Sequence, residues 1–131
     1  MSCPTCGGDR VTFAVPSTLR PYAPEEAAAA TLCTGCLRVS PAEHTTDAPV
    51  DVAWGPFPTG DAGVATALLL GLLDSLALRR PAVTELCAHA ERAGGDPFLA
   101  LDRLTDLAET GTIEPHVDLS RRAAQLQSLL D

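Results

Sequence analysis

"CPTCGGDR" at residues 3–10 and "CTGCLRV" at residues 33–39 decide how this chain folds. Each opens on Cys-x-x-Cys, and 26 residues separate the two pairs. A tight turn between two cysteines presents both sulfurs from one loop, with backbone N–H groups directed at them. Two such loops, joined by a hairpin, complete a tetrahedron of soft donors about 2.3 Å from a zinc ion. The metal ligands read from this spacing are Cys3, Cys6, Cys33 and Cys36. Turns of this kind use positive φ, and Gly7 and Gly35 stand where glycine would supply it.

Other uses of four cysteines fit less well. Disulfides suit exported proteins, and the polar N-terminus does not read as a signal peptide. A thioredoxin-like centre needs one motif at a helix start in a βαβ unit, not a matched pair. A four-cysteine iron–sulfur site draws on the same ligand type. The reading here is structural zinc: four thiolates close the shell and leave no open position for water. A segment of this size also needs a staple, because below about 40 residues a core alone rarely suffices.

The rest of the chain divides by composition. Residues 1–46 hold both cysteine pairs and the β-prone pieces "RVTFAV" and "TLCTGCLRV", the pattern of short hairpins. Between them, Pro24 followed by Glu25 and Glu26 predicts a short helix. Residues 47–60, "DAPVDVAWGPFPTG", form a Pro/Gly-rich strap in which Trp54 and Phe57 are expected to pin the strap to a domain. Residues 61–131 read as about four helices. The first, over 62–78 with Asp61 as cap, is apolar nearly all round and should be central, with a hint of self-association if the bundle leaves it uncovered. Pro81 restarts the chain, and Val83, Leu86, Cys87 and Ala90 share one helical face that ends at Gly94–Gly95. Asp96 caps the third helix, which turns Phe98, Leu101, Leu104, Leu107 and Ala108 inward. The fourth starts at Asp118 and aligns Leu119, Ala123, Leu126 and Leu130. The fold class is therefore α+β: a zinc ribbon, then a strap, then a small helical bundle.

Charge narrows the function. The chain carries 17 acidic and 9 basic residues, net −8, and every basic residue is arginine. Such a surface repels the phosphate backbone and disfavours unspecific nucleic-acid binding. Lysine-free acidity also suits a salt-rich cytoplasm. The longest apolar run, 12 residues from Ala62 to Leu73, falls short of the about 20 needed to cross a bilayer. A cytoplasmic protein is expected.

"CPTCG" at residues 3–7 resembles the Cys-Pro-x-Cys-Gly knuckle of zinc ribbons and of small haloarchaeal zinc-finger proteins. With the lysine-free composition, the chain resembles an uncharacterised haloarchaeal zinc-ribbon family. The resemblance implies a zinc role for Cys3, Cys6, Cys33 and Cys36 and implies no activity. "CTGCL" departs from the pattern at Leu37.

No catalytic constellation is expected. Cys87 falls on an apolar helix face and reads as a core thiol, while His89 points elsewhere. His44 and His116 fall in loops; His44 would be a zinc donor only if a cysteine did not ligate. Residues 81–117 resemble part of a winged helix-turn-helix, with Arg103 and Thr105 facing out and a positive patch from Arg92, Arg103, Arg121 and Arg122. Asp102, Asp106 and Glu109 on the same helix oppose a groove lined by phosphates. The expected function is a non-enzymatic adapter or regulatory module for another protein; the alternative is a transcription-associated DNA binder using residues 81–117.

Overall fold

Three short strands form an antiparallel meander in the order β1 (Arg10–Ala14), β2 (Ala29–Cys33), β3 (Val39–Pro41). β1 pairs with β2 from Arg10↔Cys33 to Ala14↔Ala29, and β2 with β3 from Leu32↔Val39 to Ala30↔Pro41. The structure is a computed structural model that describes residues 2–42 and 48–130. β2 is buried at every position, so small and apolar side chains serve both of its faces. The helix predicted from Pro24 does not form. Glu25 and Glu26 adopt φ of 55° and 52°, making a tight 3-10 turn at Pro24–Glu26. The chain has only Ala27 and Ala28 in which to reverse into β2, and a helix would carry it away from the sheet.

Four α-helices follow: α1 (Gly60–Leu70), α2 (Arg80–Arg92), α3 (Pro97–Glu109) and α4 (Leu119–Leu130). Every residue of α1 from Ala62 to Leu70 is buried, which makes it the central helix, while Leu78, at the end of the stretch that hinted at self-association, is exposed. Its cap differs from expectation. The Gly60 N–H donates to the Asp51 carboxylate from the strap, while Asp61 sits in the first turn with its carboxylate 3.8 Å from His89 Nε2. The helix is also shorter than the predicted 62–78. It stops at Gly71, where an added Cβ would lie 3.1 Å from Val39 Cβ, so β3 passes too close for the helix to continue with side chains. A 3-10 turn at Leu73–Ser75 then redirects the chain and still buries Leu73 and Leu76.

α2 carries Pro81 in its first turn and buries Val83, Leu86, Cys87 and Ala90, as the periodicity required. The stop at Gly94–Gly95 has a packing reason: a Cβ on Gly95 would approach Ala62 Cβ to 2.7 Å, so α1 crosses against bare backbone. Asp96 caps α3 by accepting from Leu99 N–H at 3.0 Å. Leu101 and Leu104 are buried beneath α3, with Phe98, Leu107 and Ala108 half-buried around them. α4 buries Leu119 and Leu126, and Arg80 donates to the Leu129 carbonyl at 3.2 Å to tie the end of α4 to the start of α2.

Sheet, strap and helices share one apolar core. Phe13, Val15, Leu32 and Leu37 from the cysteine-bearing region join Val52 and Phe57 of the strap and the α1–α3 leucines in a single cluster. Trp54 packs half-buried on the same core with its ring 5.7 Å from Phe57, and Ala14 N–H donates to the Pro49 carbonyl at 2.6 Å. The strap is thus fixed to both the sheet edge and the base of α1.

Candidate metal centre

The sheet brings the two knuckles to its open end. In the first, Gly7 N–H donates to the Cys3 carbonyl and Cys3 N–H to Gly8; in the second, Leu37 N–H donates to Cys33 and Cys33 N–H to Arg38. The two loops are near-copies. They differ at the residue after the second cysteine, where Gly7 has φ 78° and Leu37 has φ 67°. The expectation that Gly35 supplies the left-handed residue is therefore corrected: Leu37 does, although a β-carbon disfavours that region by about 1–2 kcal/mol. The Leu37 side chain is wholly buried in the shared core, which holds it there. Gly35 and Gly8 serve instead as close-approach points, with the position of an added Cβ 3.4 Å and 3.3 Å from Cys6 Sγ.

All four sulfurs lie within 4.8 Å of one another. Cys6 and Cys33 are 3.4 Å apart and Cys3 and Cys36 are 3.9 Å apart, while all four thiols are free of disulfides. A tetrahedron with metal–sulfur distances of about 2.3 Å has edges of about 3.8 Å, so the donors are placed to take one ion. Backbone N–H groups of Gly8, Gly35 and Cys36 point at sulfur at 3.4, 3.3 and 3.4 Å. Cys3, Cys33 and Cys36 are buried and Cys6 is exposed at the tip. The residues fit a single thiophilic metal ion with no vacant position.

The thiols are electrostatically unequal. The backbone N–H groups of Cys6 and Thr5 lower Cys3 to about 6. Burial pushes Cys33 up to about 12 against the N–H groups that favour its thiolate. Four adjacent thiolates without a cation would repel, so ionising the whole set would require a bound cation.

The second knuckle is also bonded from the helical side. Glu114 N–H donates to the Gly35 carbonyl at 2.9 Å, and His116 N–H donates to Cys36 at 2.9 Å. His116 Nδ1 reaches the same Cys36 carbonyl at 2.8 Å. His116, expected to be solvated in a loop, is half-buried and holds the α3–α4 connection against the cysteine turn. No spacing rule links position 116 to position 36, so sequence reading had no signal for this contact. The stretch that the winged-helix reading used as a wing is thereby committed to the knuckle. Of its proposed arginine patch, Arg92 pairs with Glu85 at 2.9 Å and Arg122 donates to Gln125 at 2.9 Å. Thr105 bonds back to the Leu101 carbonyl at 2.8 Å.

Among the described residues, Cys87 lies apart from the four sulfurs. Cys87 is buried in the core, and desolvation with the Glu91 charge raises it to about 11, as suits a packing thiol. His44 lies outside the described residues. Among the described residues no helix is long and apolar enough to cross a membrane.

The geometry defines an α+β protein whose N-terminal sheet carries a four-cysteine cluster able to hold a metal ion, consistent with a zinc ribbon. The chain belongs to the family described as "Family of unknown function (DUF6276)", whose model matches residues 2–130. No curated protein and no solved structure matches the chain.

Proposed function

We propose that the chain is a non-catalytic zinc-ribbon protein in which Cys3, Cys6, Cys33 and Cys36 hold a structural zinc ion, and that the folded unit acts in the cytoplasm as an adapter or regulatory module for another protein. The observation that carries this reading is the sulfur cluster together with its hydrogen bonds to residues 114–116. An ion in this cluster would fix the sheet and, through the Gly35 and Cys36 carbonyls, the α3–α4 connection. Four thiolate ligands leave zinc little Lewis acidity and no site for a substrate. The net charge of −8 supports a protein partner over a phosphate backbone, and the lysine-free composition supports a salt-rich cytoplasm of the haloarchaeal kind.

Elemental analysis of natively purified protein tests the centre: one zinc per chain is expected, and metal-free protein with an intact sheet would overturn it. Affinity recovery at native salt, with and without nuclease, tests the partner. A stoichiometric protein partner that survives nuclease is expected. Recovery lost on nuclease treatment would replace the adapter reading with a nucleic-acid one.

A further inference from the structure

Two of the nine arginines sit in one row across the sheet, on either side of a cysteine of the cluster. Arg10 of β1 pairs in register with Cys33, and Cys33 N–H donates to the Arg38 carbonyl on the other side at 2.9 Å. Neighbouring strands lie about 4.8 Å apart, so the two arginine backbones are about 10 Å apart with Cys33 between them. Both residues line a groove of about 280 Å³ whose wall also contains Cys3 and Cys33. Arg38 is exposed and has no ion-pair partner among the described residues.

A divalent ion bound by four thiolates carries a net double negative charge. The backbone N–H groups at the sulfurs offset part of it as dipoles, but no backbone group supplies a full positive charge. In a chain of net −8 the surrounding surface adds to the repulsion. We infer that Arg38 helps to balance the loaded centre and thereby raises its metal affinity at low ionic strength. This inference rests on the four-cysteine centre proposed above.

The test is titration of the full chain with cobalt(II), whose tetrathiolate complex is coloured, in wild type, Arg38→Gln and Arg38→Lys. Arg38 is preferred to Arg10 because it is exposed and precedes β3, so its replacement leaves the sheet register intact. Removing one unit charge beside a double charge near the surface weakens cobalt binding about tenfold at low ionic strength. Arg38→Lys should restore most of that loss. At about 1 M salt, where the Debye length is about 3 Å, the gap between wild type and the Gln variant should close. Unchanged affinity in Arg38→Gln, or a Lys variant as weak as Gln, would overturn the arginine role while leaving the centre standing. Failure of wild type to give the tetrathiolate spectrum would overturn the centre itself, and the inference with it.

Discussion

The sheet region and the helical region solve the problem of a small core differently. The helices surround α1, whose residues from Ala62 to Leu70 are all buried, and need only apolar contact to do so. The sheet contributes a few apolar residues to that core, chiefly Phe13, Leu32 and Leu37, and closes its far end with sulfur. A three-stranded meander with strands of five, five and three residues is marginal alone. On the proposed reading one region is held by burial and the other by burial plus an ion, so the two should respond differently to metal loss and similarly to damage in the core they share.

The largest effect should come from the ion. Cys6 is exposed, so Cys6→Ser leaves no core cavity and its cost reports the centre. Structural zinc supplies about 10–16 kcal/mol to small fingers, and the variant should lose a large part of that in the sheet. Hydrogen exchange should show β1–β3 amides unprotected while the middle of α1 and α2 stays protected. Equal loss across both regions would mean that the sheet is not a separately stapled unit. Leu69→Ala should do the opposite. It opens a cavity costing about 2–5 kcal/mol in the common core, and should lower both regions together in one transition.

What could be read from the sequence follows the same division. Contacts set by local period were legible, namely the inward faces of α2 and α3 and the Asp96 cap, and the matched Cys-x-x-Cys spacing made one long-range meeting, that of the two cysteine turns, legible as well. The errors fall where distant segments meet. α1 stops at Gly71 because β3 lies against it, and Asp51, nine residues upstream of Gly60, caps the helix in place of Asp61. The alanine run after Pro24 enters a buried strand although alanine favours helix, since tertiary pairing overrides propensity. His116 reaches Cys36 across 80 residues, beyond any local rule.

A smaller effect isolates the asymmetry between the two knuckles. Leu37 holds a left-handed backbone while its side chain fills the core. Both Leu37→Ala and Leu37→Gly lose the buried side chain, at about 2–5 kcal/mol. Glycine also relieves about 1–2 kcal/mol of backbone strain, against about 0.5–1 kcal/mol of extra unfolded-state entropy. Leu37→Gly should therefore be the more stable of the two by roughly 0.5–1 kcal/mol in chemical denaturation, reversing the usual order of alanine over glycine. The usual order at this position would show that the knuckle does not hold the strained conformation.

The smallest difference concerns the one cysteine outside the cluster. Cys87 is raised from an ordinary value of 9.0 to about 11, first by desolvation and then by the Glu91 charge. Its folded pKa lies above its unfolded one, so its contribution is full below pH 9 and is lost as pH rises towards 11. In that window the unfolded chain releases a proton that the folded chain keeps, and stability must fall. Cys87→Ala removes this term from the helical region and leaves the cluster untouched. Thermal melting of metal-loaded wild type between pH 8.5 and 10.5 should therefore fall more steeply than that of Cys87→Ala, by the dependence of a single proton. Because sulfurs bound to a metal release no protons in this range, parallel curves would place the alkaline titration elsewhere and return Cys87 to an ordinary, accessible thiol. Alkylation at pH 8 gives the same distinction from another side: with the ion bound, Cys87 should stay unmodified until the helices themselves unfold.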